Sequence, residues 1–466
     1  MNDWVGCLGG NSQAITPNMD RFAKEKGVVM NKAYCPSTVC CPSRSAILTG
    51  KRAASTGVYG NRQNLKSAPK AKDVVTLPEY FAKHGYHTLS TGKIFHKHPT
   101  DKGMDEGQWA YKEFAELGGN SGGMLWVESP SGSDDQKDGK ASKEKGEEFR
   151  WGATKNPVEK TKDYVSSKWA ANQLQRDYNG QPFFLALGIS KPHLPWEVPQ
   201  QFFDLYPLDI FKTVDIVRDD LKDIVNRNGK ELFSADSRFL AADKANLHKQ
   251  AQRAYLANIS YVDHCLGVVF DALAKSKYAD NTIVMLWGDH GWHLSEKLKY
   301  GKTDLWEESN RVPFIVSVPG VSKPSLKSDA VVNLLDMYPT LIELCGLPPN
   351  PENEGRSFAP ALKNPSLEWN HPTLTTYQYK NHSITDGRYR FTYYGGKGGA
   401  EELYDRSVDP LEHRNLASKP EYKGIMDRLR SSMPTHDEPD SPSNKLSGED
   451  KKEMSKKDRK GQRKKQ

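Results

Sequence analysis

Apolar runs alternate with amphipathic stretches over the first 365 residues. Residues 182–189 and 282–287 are continuous apolar runs and read as buried strands, 27–33 and 312–318 read as further strands, and 86–89 as a short one. Between them the period lengthens to that of a helix. Thr16-Pro17 supplies an N-cap and an N1 proline for a helix reaching about Lys26. Thr76-Leu77-Pro78-Glu79 is a capping box for a helix that stops at Gly85. Helical spacing also covers 162–175, 246–275 and 333–344, the last ended by Gly346. Strands alternating with helices imply an α/β domain over 1–365, a mostly parallel central sheet sandwiched by helices. After Pro365 the pattern shortens. Tyr377, Ile384, 389–394 and Leu403-Tyr404 predict antiparallel strands, and 421–433 a helix, giving a small C-terminal subdomain over 366–434. The polar, aperiodic stretch 129–148 reads as an exposed insertion, and 435–466 as a disordered basic tail.

Composition narrows the partners. The chain is 36% hydrophobic, enough for a sizeable core, but no stretch approaches the apolar length of a membrane span, and no signal peptide is visible at Met1. Six cysteines in 466 residues do not make a disulfide framework, and the cluster of Cys35, Cys40 and Cys41 lacks the second Cys/His group of a zinc site. The net charge of +7 is carried by residues 451–466, with nine Lys/Arg and two Asp/Glu. The rest is balanced and has no basic stripe, so nucleic acid is not an expected partner.

The chemistry gathers at Cys40-Cys41-Pro42-Ser43-Arg44-Ser45-Ala46-Ile47-Leu48-Thr49-Gly50. Pro42 disfavours helix at Cys41, Ser43 is a good N-cap, and Ser45 to Leu48 then begin a helix. Cys40 is thereby expected just before a helix N-terminus, with Arg44 beside it. That setting suits a nucleophile and an anion, and equally a buried structural cysteine at a loop–helix junction. In parallel sheets ligands bind beyond the carboxyl ends of the strands. Lys93 and His96 follow one predicted strand, His193 another, Asp289 and His290 a third. Asp289-His290 suits a metal or a turn. Taken singly, Lys93 and Lys302 are surface lysines, and His193, between Pro192 and Pro195, is a rigidly set histidine.

The pattern C-x-P-S-R-x-x-x-L-T-G resembles the signature of the type I sulfatases, members of the alkaline-phosphatase-like superfamily. The resemblance covers roughly 4–416 and is closest to the iduronate-2-sulfatase-like branch. Gly92-Lys93-x-x-His96, Lys191-Pro192-His193, Asp289-His290-Gly291, Lys302, and Leu403-Tyr404-Asp405 with Asp409-Pro410, Glu412 and Asn415-Leu416 match further motifs in order. The resemblance implies a sulfuric ester hydrolase acting on a sulfated carbohydrate or small organic sulfate. Cys40 is then converted by a formylglycine-generating maturation enzyme, and the aldehyde hydrate is the nucleophile. A divalent metal, expected to be calcium, is held by Asp289, His290 and the modified Cys40. Arg44, Lys93 and Lys302 offset sulfate charge, His193 with Lys302 protonates the leaving alcohol, and His96 helps take a proton from the second hydroxyl.

One departure stands out. Family members begin with an apolar strand ending in paired metal-ligand aspartates, just before the segment resembling Asn2-Asp3-Trp4. Here the first strand and both aspartates are missing. The chain is therefore expected to be a sulfatase whose start lies upstream, where an export signal would place it in the periplasm or outside the cell. The alternative is a non-catalytic binding protein on a sulfatase scaffold. The intact Cys40, Arg44, Lys93, His193, Asp289 and Lys302 favour the enzyme. A phosphate-ester hydrolase of the same superfamily commonly uses Ser or Thr as nucleophile, which Cys40 speaks against.

Overall fold

The computed structural model describes residues 1–96, 110–119, 122–130 and 149–442. Helix α1 (Pro17–Glu25) begins at the predicted proline and buries Met19, Phe22 and Ala23. β1 (Val28–Tyr34) leads through a short loop to α2 (Cys40–Thr49), which ends at Gly50 with φ +68°. α3 (Leu77–Lys83), carrying the capping box, is followed by β2 (His87–Gly92). The main body is completed by β3 (Glu113–Ala115), α4 (Lys162–Gln173), β4 (Phe183–Gly188), α5 (His248–Ala274), β5 (Val284–Trp287), β6 (Phe314–Ser317), β7 (Lys327–Asn333) and α6 (Met337–Leu344).

Two observations correct the sequence reading. α2 starts at Cys40 rather than after Ser43. Pro42 sits in the first turn, where the N–H it lacks would have no intrahelical partner, so it does not delay the helix. The sheet is also less parallel than predicted. Its order is β7-β1-β6-β5, and β6 runs antiparallel to both neighbours. An apolar run buried on both faces carries no direction, so the pattern at 312–318 could not reveal this. β7 was not predicted as a strand; it opens with exposed Lys327 and Asp329 around buried Ser328.

A second, parallel sheet has the order β3-β2-β4. β4 and β5 are thus edge strands of separate sheets, and both line one cavity of about 730 Å³. Leu185, Leu187 and Met285 line it from the strands, Leu266 and Phe270 from α5. The apolar residues of β4 and β5 remain half-buried for this reason, although both runs read as fully buried.

Strands β8 (Thr373–Thr376), β9 (Asn381–Thr385), β10 (Tyr389–Tyr394) and β11 (Ala400–Asp405) form an antiparallel sheet in sequence order, with α7 (Lys423–Arg430) packed against it through Met426 and Leu429. Buried charge ties this sheet to the main body. Arg390 donates to Glu412 at 2.6 Å and also pairs with Glu307, while Arg406 pairs with Glu307 and donates to the Tyr34 hydroxyl at 2.8 Å. Residues 435–442, expected to begin a disordered tail, are bonded instead. The Glu438 and Ser441 amides donate to Ala54 and Gly57 carbonyls at 2.7 and 2.8 Å, and His382 pairs with Asp437 at 3.0 Å. Residues 443–466 and the predicted insertion from 131 to 148 lie outside the described residues. No disulfide joins any of the six cysteines, and no described helix is long and apolar enough to cross a membrane.

The slot predicts measurable apolar exposure. The 466-residue chain should enhance anilinonaphthalene sulfonate fluorescence under native conditions, and Leu185→Glu with Met285→Glu should lower it. An unchanged signal in that double variant would place the dye site elsewhere.

Candidate active site

The strand ends converge on the first turn of α2. At the end of β2, Gly92 adopts φ +76°, and a Cβ there would meet the Gly188 carbonyl oxygen at 2.0 Å. Only glycine allows the ends of β2 and β4 to approach so closely. The Lys93 amide then donates to the Gly188 carbonyl at 3.0 Å, which fixes the turn carrying Lys93 and His96. Beyond β4, Asp163 at the start of α4 accepts the Ser190 and Lys191 amides, both at 3.0 Å, and so holds the loop bearing His193. Beyond β5, the Ser43 hydroxyl donates to the Asp289 carbonyl. Two residues past Lys302, the buried Asp304 anchors the same loop, pairing with His293 at 3.1 Å and with Lys299 at 3.0 Å.

At the centre, Lys302 Nζ donates to Cys40 Sγ at 3.0 Å, and His290 Nε2 lies 3.2 Å from the same sulfur. Arg44 Nε donates to Asp289 at 2.7 Å, and its other arm donates to the Lys93 and Ile94 carbonyls, the latter at 2.9 Å. Burial opposes ionisation of the Cys40 thiol, but Lys302, His290 and Lys93 outweigh it and hold the thiol well below its ordinary range. Burial likewise works against the Asp289 carboxylate, and Arg44, His290 and Lys93 override it and keep it charged. The Met1 ammonium donates to the His290 carbonyl at 2.7 Å, and burial pushes it down to about 6.

Cys40 Sγ, a carboxylate oxygen of Asp289 and a ring nitrogen of His290 lie within 4.8 Å of one another. His290 Nδ1 donates to the Gly291 carbonyl at 2.8 Å, so that when the ring gives up its second proton the Nε2 lone pair is directed at this cluster. Such an orienting bond is what a metal-binding imidazole uses. These residues fit one face of a divalent ion; a hard cation takes six or more oxygens, so further donors must complete it.

Among the sequence candidates, Cys40, Arg44, Asp289, His290 and Lys302 are joined by direct contacts, and Lys93 enters through its carbonyl and its charge. His193 lines the same cavity as Cys40, with Nδ1 donating to the Leu194 carbonyl at 2.7 Å. His96 is mostly buried, and its Nδ1 has no hydrogen-bond partner among the described residues. Sequence reasoning missed Asp163 and Asn61. Asn61 Oδ1 accepts the Cys41 amide at 3.0 Å, satisfying an open donor in the first turn of α2. Neither carries a local signal, since each acts on a loop brought to it by folding.

Comparison with known proteins gives one family. The sulfatase family profile matches residues 2–347, and the profile of the N-sulphoglucosamine sulphohydrolase C-terminal region matches 288–438. A sulfatase of Formosa agariphila is 37% identical over 441 residues, covering 93% of this chain and 84% of that protein. The iduronate 2-sulfatase of Mus musculus is 24% identical, covering 91% of this chain and 90% of its own. The fold matches BT4656, solved with its substrate D-glucosamine-2-N,6-O-disulfate, at a TM-score of 0.71 and 22% identity, over 92% of this chain and 94% of that one. It also matches a phosphonate monoester hydrolase of Silicibacter pomeroyi at a TM-score of 0.73 and 18% identity, over 96% and 95% of the two chains.

His96 generates a pH prediction. Burial, then Lys93, lowers its imidazole to about 4 from the ordinary 6.5. A lowered histidine favours the folded state while neutral. Its contribution is complete above pH 6.5 and is lost as pH falls through about 4. Urea unfolding should therefore show His96→Asn losing about 2–3 kcal/mol less stability than the parent between pH 7 and 4. Parallel losses would remove the buried, neutral state assigned to His96.

Proposed function

The chain belongs to the sulfatase family and is a sulfate ester hydrolase, and from that premise we propose that it desulfates a sulfated sugar using formylglycine at position 40 and a divalent cation, expected to be calcium. The observation that carries this reading is Cys40 at the start of α2, with Lys302 Nζ at 3.0 Å and His290 Nε2 at 3.2 Å. Converted by a formylglycine-generating enzyme, residue 40 supplies an oxygen nucleophile where Sγ now stands. Asp289 and His290 would hold the cation, which supplies Lewis-acid polarisation of a sulfate oxygen.

The chain's own residues do the rest. Lys93 and Lys302 offset the charge that develops on the sulfate oxygens. Arg44 is engaged by Asp289 and by the Lys93 and Ile94 carbonyls, so its main part is to fix the metal-facing carboxylate and the Lys93 turn. His193, its ring oriented by the bond from Nδ1 to the Leu194 carbonyl, would protonate the leaving alcohol. His96, neutral above about pH 4, is the acceptor for the proton that residue 40 must lose. A sugar substrate is supported by relatives named for iduronate 2-sulfate and by the fold neighbour bound to a disulfated glucosamine. A non-catalytic binding role is not favoured, since the charged cluster around Cys40 is intact.

Two predictions test the proposal. Co-expression with a maturation enzyme should give a peptide in which Cys40, and not Cys41, has lost its thiol to an aldehyde by mass spectrometry, and Cys40→Ala should abolish aryl sulfate turnover. Sulfate ester hydrolysis by protein with an unmodified Cys40 would sink the formylglycine step. Separately, Lys93→Ala and Lys302→Ala should each lower kcat by roughly 10²–10³-fold, the cost of one preorganised donor. His193→Ala should hurt alkyl sulfates far more than an aryl sulfate, whose phenolate leaves without a proton; equal losses would refute the acid role.

A further inference from the structure

The turn between β8 and β9, residues 377–380, connects the C-terminal sheet to both flanks of the candidate site. Just before it, the Thr375 hydroxyl donates to the Cys35 carbonyl at 2.6 Å and the Thr376 amide to the Pro36 carbonyl at 3.0 Å. The turn therefore emerges beside the segment that leads into Cys40. On one flank the Tyr377 side chain lies close to Thr303, the neighbour of Lys302. On the other, Tyr379 meets Tyr59 edge to face at 6.0 Å between ring centres. Tyr59 is itself fixed, donating to the Glu438 carbonyl at 2.8 Å, and it precedes Asn61, which holds the Cys41 amide.

The turn is built to keep its shape at a cost. Gln378 and Lys380 adopt φ of +62° and +61°, a left-handed region that side-chain-bearing residues avoid. Both are exposed, so no core packing demands it. Support comes from below, where the Gly395 amide donates to the Lys380 carbonyl at 2.9 Å. A Cβ on Gly396 would come within 2.7 Å of the Tyr379 carbonyl oxygen, so the backbones touch. The result presents the half-buried Tyr379 ring with Lys380 Nζ 4.9 Å from its centre. The turn thus holds the Tyr379–Lys380 pair in one orientation, next to the segment that leads into Cys40.

We infer that Tyr379 and Lys380 form a subsite for an anionic sugar residue adjoining the one that carries the scissile sulfate. The ring offers a face for sugar C–H groups, and the ammonium a partner for a carboxylate or second sulfate on the neighbouring ring. Lys397 extends the positive rim, with its ammonium over the Phe233 ring at 4.5 Å. This inference rests on the sulfate ester reading above, and names the wider substrate as an acidic, sulfated oligosaccharide.

The test uses the matured full chain with three substrates: 4-nitrophenyl sulfate, a sulfated neutral disaccharide, and the same disaccharide with a uronate as neighbour. Lys380→Ala should raise KM for the uronate disaccharide roughly three- to tenfold, with kcat and 4-nitrophenyl sulfate turnover unchanged. Lys380→Arg should restore most of it, and Tyr379→Ala should weaken both disaccharides. The parent's preference for the uronate substrate should shrink as salt rises. Equal losses on all three substrates, or none on the disaccharides, would overturn the subsite. Aryl sulfate turnover without saccharide turnover would overturn the subsite and leave the sulfatase reading intact; no sulfate ester turnover would remove both.

Discussion

The guanidinium of Arg44 holds the site together. Its Nε binds Asp289, which follows β5, and its other arm binds the Lys93 and Ile94 carbonyls, which follow β2. β5 and β2 belong to different sheets, separated by the apolar slot. Arg44 thus fastens the two halves across their shared end, from a helix whose first residue is Cys40. Only a planar fork with several fixed donors reaches a carboxylate and two carbonyls at once, and lysine offers no such geometry. The pair is mostly shielded from solvent, at 15% and 14% side-chain exposure, so it is screened far less than a surface bridge.

That clamp also sets the charge balance. Around Cys40 stand Lys302, Lys93 and Arg44, with Asp289 as the carboxylate held among them. Local positive charge outweighs negative, which favours an anionic substrate and keeps an acidic nucleophile ionised at this position. Burial, and after it the same surplus acting through Lys93, keeps His96 neutral.

A second set of buried charges decides where the C-terminal sheet sits. Arg390 and Arg406 share Glu307 and Glu412 with almost no solvent contact. Such a group contributes little net stability over an apolar replacement, yet losing one member strands the others, at about 3–5 kcal/mol. Its value lies in register. It seats β8 against Cys35 and Pro36, and so carries the turn at 377–380 to the site.

Much of this was legible in the residues. Strand and helix positions followed from period and caps, because a buried strand and an amphipathic helix leave different spacings. The ordered motifs around Cys40, Lys93, His193, Asp289 and Lys302 pointed to one site, since strand ends in such folds gather ligands. Strand direction was not legible, because an apolar run such as 314–317 reads the same either way. Nor was the start of α2, because a proline in a first turn and one before a helix look alike in sequence. Asp163, Asn61, the bonded segment 435–442 and the turn at 377–380 depend on contacts between residues far apart in the chain. Local pattern determined which elements form and which residues are chemically able. Tertiary packing alone decided which of them meet, because distance in space is fixed only when the sheets, the clamp and the buried ions are all in place.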